Sequence, residues 1–146
     1  MDRAETINRI QAEDRNLGVI AKETENAYQN GNSMAALSSL FTLMEQATKF
    51  AVEETGGKSK EDPNFHECIE EASGRGIIDG SEEDFLKRTK KFRNKIFHEN
   101  LDKWSFTDDE GVVYPLSEAS NRKILYESKS EETFRIILKL LMGHKE

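Results

Sequence analysis

The stretch SEEDFLKRTKKFRNKIFHEN, residues 81–100, predicts the helix around which the rest of the chain is organised. Ser81 can cap that helix, acidic residues follow it in the first turn, and Asn100 can close the far end. On a wheel with 3.6 residues per turn, the apolar side chains spread over one broad arc, and Arg93 falls inside it. A desolvated arginine without a partner is costly. The position of Arg93 therefore indicates a partner or a wet interface, unless the side chain extends past its apolar neighbours to water.

The chain has 146 residues, a formal net charge of −7 and 36% apolar residues. This length predicts a single domain over residues 1–146, and the low apolar fraction fits a small helical domain with wide solvated faces. The acidic balance argues against sequence-blind binding to duplex nucleic acid. Lysine and arginine nevertheless cluster over residues 87–95, and they supply one local basic site.

Cys68 is the only cysteine, which excludes an internal disulfide and a cysteine zinc site. It lies on an apolar helical stripe, so a buried thiol is expected rather than a nucleophile. No histidine or carboxylate cluster has the spacing of metal ligands, and neither a metal nor another cofactor is expected. The polar first residues and the lack of a long apolar run predict a cytoplasmic protein without membrane association.

Apolar periodicity predicts an all-α, up-and-down bundle of four to six helices with a small hairpin or loop insertion. Residues 2–30 predict one long first helix, although Asp14 interrupts its apolar stripe. Residues 33–54 predict a second helix, which a short turn makes an antiparallel neighbour of the first. Asp62 is expected to cap a short third helix.

After residue 100 the pattern changes. Alternation over residues 104–107, a turn, and a β-favouring run at 112–114 predict a small hairpin. A helix is expected over residues 117–127, and Ser130 is expected to begin a separate last helix. That last helix has a wide apolar face, which indicates that it is well buried or meets a partner.

A short pattern lies near the end of the helix predicted over residues 81–100, which we call the motif helix. It consists of Arg93, the polar residue Asn94, three further residues and His98. This pattern resembles the motif of the HEPN superfamily, in which a histidine follows an arginine after four to six residues. The context is similar over residues 33–101. An Ala-rich amphipathic helix with an internal glutamate, Glu45, comes first, and a short helix and a Gly-Ile-Ile link then lead into the motif helix.

The resemblance implies a helical homodimer in which the motif helices of two protomers meet. Many HEPN proteins are metal-independent endoribonucleases of toxin–antitoxin, CRISPR-linked or abortive-infection defence, so RNA and an antitoxin or defence-complex protein are the implied partners. Other members keep the bundle as a noncatalytic binding or dimerisation module, which is the alternative function. Toxin members that pair with a nucleotidyltransferase often carry a tyrosine two residues after the histidine. Here that position is Asn100, so regulation through such a tyrosine is not supported.

The residue types of the motif suit the chemistry of RNA cleavage, in which the 2′-hydroxyl is the nucleophile. His98 suits proton transfer, because a histidine ordinarily titrates near neutrality. Arg93 suits the stabilisation of charge on the phosphate. Asn94 is expected to orient His98, one turn further on. Lys91 and Lys95 are expected to hold flanking phosphates.

Glu45 lies at the edge of the apolar arc of its helix and is expected to pair with Arg93. The alternative is that Glu45 is an ordinary glutamate at the rim of the bundle.

Positions 93 and 98 differ by about 140° around a helix. One straight helix therefore does not aim both side chains at the same phosphate. Either the helix distorts or two copies form a composite cleft, and the resemblance favours the second.

Overall fold

Over the described residues, the chain forms six helices, with a two-stranded hairpin between the fifth and the sixth. The computed structural model describes residues 1–56, 64–98 and 105–143, and the side chains of 95–98 and 143 lie outside this description. The predicted all-α bundle with a small hairpin is confirmed. The elements are α1 (Arg3–Glu13), α2 (Arg15–Gln29), α3 (Ser33–Glu54), α4 (Phe65–Gly74), α5 (Gly80–His98), β1 (Ser105–Thr107), β2 (Val113–Pro115) and α6 (Ala119–Gly143).

The centre of the bundle is the contact between α3 and α6, which is the most extensive between any two described helices. The two helices run in the same direction. Arg122 near the start of α6 donates a 3.1 Å hydrogen bond to Ser33 at the start of α3, and Thr55 after α3 lines the same groove as Leu138. α2 packs on α3, and α1 packs on α2 and α6. α5 reaches the bundle mainly through α4 and therefore lies at its edge.

The predicted single helix over residues 2–30 is wrong, because Asp14 divides it. Asp14 has an extended backbone, with φ −148° and ψ 109°. Its N–H donates to the carbonyl of Ile10 and closes α1, and its side chain accepts a 3.0 Å hydrogen bond from the Leu17 N–H and caps α2. The two helices fold back on each other so closely that a Cβ on Gly18 would lie 2.3 Å from Cα of Gln11.

A charged and aromatic cluster ties α1 and α2 to α6. Nε of Arg3 lies 2.9 Å from Oε1 of Glu25, and the Tyr126 hydroxyl donates to the same oxygen at 2.8 Å. The Tyr126 ring stacks on Tyr28 with 4.5 Å between centroids. Burial, together with the bond to Glu25, raises the pKa of Tyr126, so the hydroxyl stays a donor across the ordinary pH range.

The start of α4 differs from the prediction. Asn64 is the N-cap, and its side chain accepts a 2.8 Å hydrogen bond from the backbone N–H of Glu67. The Glu67 carboxylate in turn accepts a hydrogen bond from the backbone N–H of Asn64. The predicted cap, Asp62, lies outside the described residues, and the helix begins after Asn64 instead. The predicted inner face of this helix is confirmed, and its members are Phe65, Cys68, Ile69 and Ala72.

The start of α5 also uses a reciprocal cap, which corrects the assignment to Ser81. Asp79 accepts from the Glu82 N–H at 2.8 Å, and Glu82 accepts from the Asp79 N–H at 2.9 Å. The Glu82 carboxylate is 2% exposed and lies 2.5 Å from Nζ of Lys139 and 3.4 Å from Nη1 of Arg135. Glu82 therefore anchors the start of α5 to α6 with a buried charge whose partners come from another helix.

The hairpin pairs β1 with β2 in antiparallel register, with Phe106 opposite Tyr114. The two rings stack with 4.7 Å between centroids, and Phe106 also packs against the core. Asp108 accepts hydrogen bonds from the Val112 N–H and the Tyr114 hydroxyl and so holds the turn. The predicted hairpin is confirmed from residue 105 onward, and Trp104 lies outside the described residues.

The predicted division of the last segment into two helices is wrong, because α6 continues through Ser130. Tyr126, Ser130 and Phe134 follow one another at intervals of four and are all fully buried. Ser130 therefore lies on the buried stripe of one long helix instead of capping a new one. The wide apolar face of α6 is covered by α3 and α1. Within the described residues, no helix has the length and apolar character needed to cross a bilayer.

Gly18→Ala is expected to reduce the free energy of unfolding by about 2–3 kcal/mol, because the added Cβ collides with the backbone of α1. The matched control is Gly74→Ala at the end of α4, where nothing lies within 4 Å of the new Cβ. This control is expected to leave stability unchanged or to raise it by about 0.5 kcal/mol. Urea denaturation measures both, and an equal change in the two variants would contradict the close contact of α1 with α2.

Candidate functional site

Arg93 lies in the second half of α5 and turns toward α3, where its Nη1 donates to Oε1 of Glu45. Both side chains are about one-fifth exposed, at 19% and 20%. The predicted pairing of Glu45 with Arg93 is confirmed, and the reading in which Arg93 only extends past its neighbours to water is wrong. The Glu45 carboxylate thus compensates the positive charge of Arg93, which lies among the apolar side chains of α5.

Two further contacts orient the Arg93 guanidinium, and a third contact nearby positions the helix that carries it. Nη2 donates to Oδ1 of Asn94 at 3.2 Å, and Cζ lies 5.6 Å from the centroid of the Phe65 ring of α4. The backbone of α5 is held beside α3 by Phe92, whose ring meets Phe41 edge-on with centroids 5.9 Å apart. The guanidinium thus lies where α3, α4 and α5 meet.

Lys49 belongs to the same cluster and was not predicted. Its Nζ lies 3.9 Å from Oε2 of Glu45, one turn further along α3. Lys49 therefore places a second positive charge beside the Glu45 carboxylate. The spacing of Glu45 and Lys49 by four residues was the sequence signal that could have indicated this pair.

The other predicted site residues divide into those that the structure places and those that it does not. Lys91 is exposed and lies about 200° around α5 from Arg93, so it does not share the face of the Arg93 cluster. His98 belongs to α5, but its side chain lies outside the described residues, as does that of Lys95. Asn94 contacts Arg93, and its expected contact with His98 stays a prediction.

Two other titratable side chains, Cys68 and His66, are explained by their local surroundings. Burial raises the pKa of the Cys68 thiol, in agreement with the predicted inert thiol. Nε2 of His66 lies 2.9 Å from Oε1 of Glu70 in the next turn of α4. Across the ranges that the structure describes, no group of three histidine, cysteine or carboxylate side chains could hold a metal ion.

The cluster around Arg93 can bind an anion with a rigid, planar donor that two carboxyl or amide oxygens hold in place. No protein-family model, curated protein or solved structure matches this chain. The arrangement of Arg93, Glu45, Asn94 and Lys49 is therefore the basis for a functional proposal.

A double-mutant cycle of Glu45→Gln with Arg93→Met is expected to give a coupling free energy of about 1–3 kcal/mol, because each single change leaves a partly buried group without its charged partner. The matched control cycle is Glu83→Gln with Lys87→Met, an i,i+4 pair of α5 beside α4 that is more exposed, at 24% and 34%. This control is expected to couple by about 0.3–0.5 kcal/mol. Urea denaturation of the wild type and the six variants gives both coupling free energies, and additive effects at Glu45 and Arg93 would contradict a stabilising pair.

Proposed function

We propose that this chain is a metal-independent endoribonuclease of the HEPN type that acts as a homodimer. The observation that carries the proposal is the environment of Arg93. The motif arginine is held by Glu45 of α3 and by Asn94, the residue that directly follows it in the motif. A guanidinium that these contacts orient suits a phosphate, although the whole chain is acidic.

The proposed reaction needs only groups that the chain and RNA supply. The 2′-oxygen attacks the adjacent phosphorus, the bond from phosphorus to the 5′-oxygen breaks, and the products are a 2′,3′-cyclic phosphate and a 5′-hydroxyl. Arg93 stabilises the negative charge on the phosphate oxygens, and His98 transfers a proton to or from the reacting oxygens. DNA lacks the 2′-hydroxyl and is not a substrate.

Dimerisation is part of the proposal, because positions 93 and 98 lie about 140° apart around α5. In a symmetric dimer with two-fold contact between α5 helices, Arg93 of one protomer and His98 of the other can face one phosphate. The position of α5 at the edge of the bundle supports such a contact. A toxin or antiviral defence role, with an antitoxin or defence-complex protein as regulator, is the proposed biological setting.

Arg93→Ala and His98→Ala are each expected to reduce RNA cleavage by at least about 100-fold, because each removes a group that acts in the transition state. The assay uses the full chain, labelled single-stranded RNA and excess chelator, with detection of the cyclic phosphate end. The matched controls are Arg88→Ala and His66→Ala, which remove an exposed arginine of α5 and the histidine paired with Glu70. Both controls are expected to cleave as the wild type does.

Two results would contradict the proposal: cleavage that stops on chelation, or activity that is absent from the wild type under all conditions. The second result would favour the noncatalytic alternative, in which the Arg93 cluster only joins α3, α4 and α5. Circular dichroism of each variant separates loss of activity from loss of fold.

Mixing the inactive Arg93→Ala and His98→Ala proteins is expected to restore about one quarter of wild-type activity. After random exchange, half of the dimers contain one copy of each variant, and one of their two composite sites keeps both residues. If each site instead takes both residues from the same protomer, mixing restores nothing. Rates are measured after equilibration at a concentration at which light scattering shows a dimer. A wild type that light scattering shows to be monomeric at every concentration tested would contradict the composite site.

A further inference from the structure

The second half of α6 contacts α1 through a sulfur atom. Nη2 of Arg9 lies 3.6 Å from Sδ of Met142, a residue 133 positions further along the chain. Nη1 of the same guanidinium lies 3.9 Å from Sδ of Met1. A thioether is an uncharged and weak acceptor, whereas a guanidinium forms its strong hydrogen bonds with oxygen. An oxygen atom on the Met142 sulfur would therefore give Arg9 a better partner than the sulfur itself.

Met142 is accessible from water although it packs partly against the core. Together with Arg9, Ile77 and Leu138 it lines an open groove of about 610 Å³. A molecule as small as hydrogen peroxide can enter a groove of this size. The sulfur of Met142 is therefore within reach of a small oxidant, whereas Met44 of α3 is fully buried.

The oxidation of a thioether by hydrogen peroxide needs no other reactant. A sulfur lone pair attacks one peroxide oxygen, so that the S–O bond forms while the O–O bond breaks. The released hydroxide then takes the proton from the transferred oxygen and leaves as water. The sulfur loses two electrons, which the peroxide gains. The flexible apolar thioether becomes a polar, chiral sulfoxide.

The contact with Arg9 decides what this oxygen does to the fold. A sulfoxide oxygen in apolar surroundings weakens the packing, because a polar atom is buried without a donor. Beside Met142 the donor is already present, since the N–H groups of the exposed Arg9 point at the sulfur. The sulfoxide oxygen thus accepts a charge-assisted hydrogen bond where the thioether accepted a weak one. That bond joins α1 to the end of α6.

We propose that Met142 is a redox-sensitive modification site, whose sulfur is oxidised to the sulfoxide by hydrogen peroxide and whose sulfoxide oxygen is bound by Arg9. The modification leaves the fold intact and ties α1 more firmly to α6. It is reversible, because methionine sulfoxide reductases restore the thioether. Neither residue belongs to the Arg93 cluster, so the proposal does not rest on the proposed ribonuclease activity.

The test treats the full chain with hydrogen peroxide, locates the added oxygen by peptide mass spectrometry and compares urea denaturation before and after treatment. Met142 is expected to take up oxygen under native conditions in which Met44 does not. Oxidation is expected to change the unfolding equilibrium constant of the wild type less than about twofold. In Arg9→Ala it is expected to raise that constant about tenfold, because the sulfoxide oxygen then lacks its donor. The matched control is Arg15→Ala, an exposed arginine of α2, which is expected to respond as the wild type does.

Met142→Leu separates the effect of Met142 from that of the other methionines. Leucine fills a similar volume and cannot be oxidised. The double variant Met142→Leu with Arg9→Ala is therefore expected to respond to peroxide as Met142→Leu alone does.

Three results would overturn the proposal. The first is a Met142 that resists peroxide as long as Met44 does, and the second is an equal loss of stability on oxidation in the wild type and in Arg9→Ala. The third is a loss in Arg15→Ala as large as that in Arg9→Ala. Circular dichroism before treatment shows that each variant is folded. RNA cleavage is measured separately, and its absence leaves this proposal untouched.

Discussion

The packing of α6 against α3 is the contact on which the other elements depend. α6 carries apolar side chains around most of its circumference in its second half, and a helix of that kind is stable in water only when neighbours cover it. α3 covers one side and α1 another, and α2 is held in place because it packs on α3. This arrangement leaves no room at the centre for α4 and α5, so both lie on the outside of α3. The peripheral position of α5 is thus a consequence of how the core is filled.

Charged pairs join the peripheral helices to this core, and they do so at both ends of α5. Glu82 at the first turn is buried under Lys139 and Arg135 of α6, and Arg93 in the second half meets Glu45 of α3. A single buried charge destabilises a fold, whereas a charge with a partner from another helix also fixes the register of the two helices. The same pairs orient cations toward the surface. The fixed orientation of the Arg93 guanidinium is therefore a consequence of how α5 is anchored.

The position of Arg93 illustrates how one contact serves stability and the proposed chemistry together. The carboxylate of Glu45 compensates the burial of the guanidinium, and the planar fork then keeps a single orientation. Phe65 lies under the guanidinium and limits the directions from which a phosphate can approach. A lysine at position 93 would keep the charge but lose the plane that Glu45 and Asn94 hold.

Local patterns in the sequence were sufficient for the class of the fold, for α3 with its observed bounds, for the hairpin, and for the pairing of Glu45 with Arg93. Periodicity can be evaluated from neighbouring residues, and the cost of burying an unpaired charge indicated that Arg93 needs an acidic partner such as Glu45. The tertiary structure decided the rest. Asp14 divides the first helix because α1 must fold back onto α2, and Ser130 stays inside α6 because α3 and α1 bury that turn. The caps at Asn64 and Asp79 and the pairing of Lys49 with Glu45 join residues three or four apart, so their spacing was a local signal. The contacts of Glu82 with Arg135 and Lys139 join residues 53 and 57 apart, and no local pattern records which distant side chains will meet.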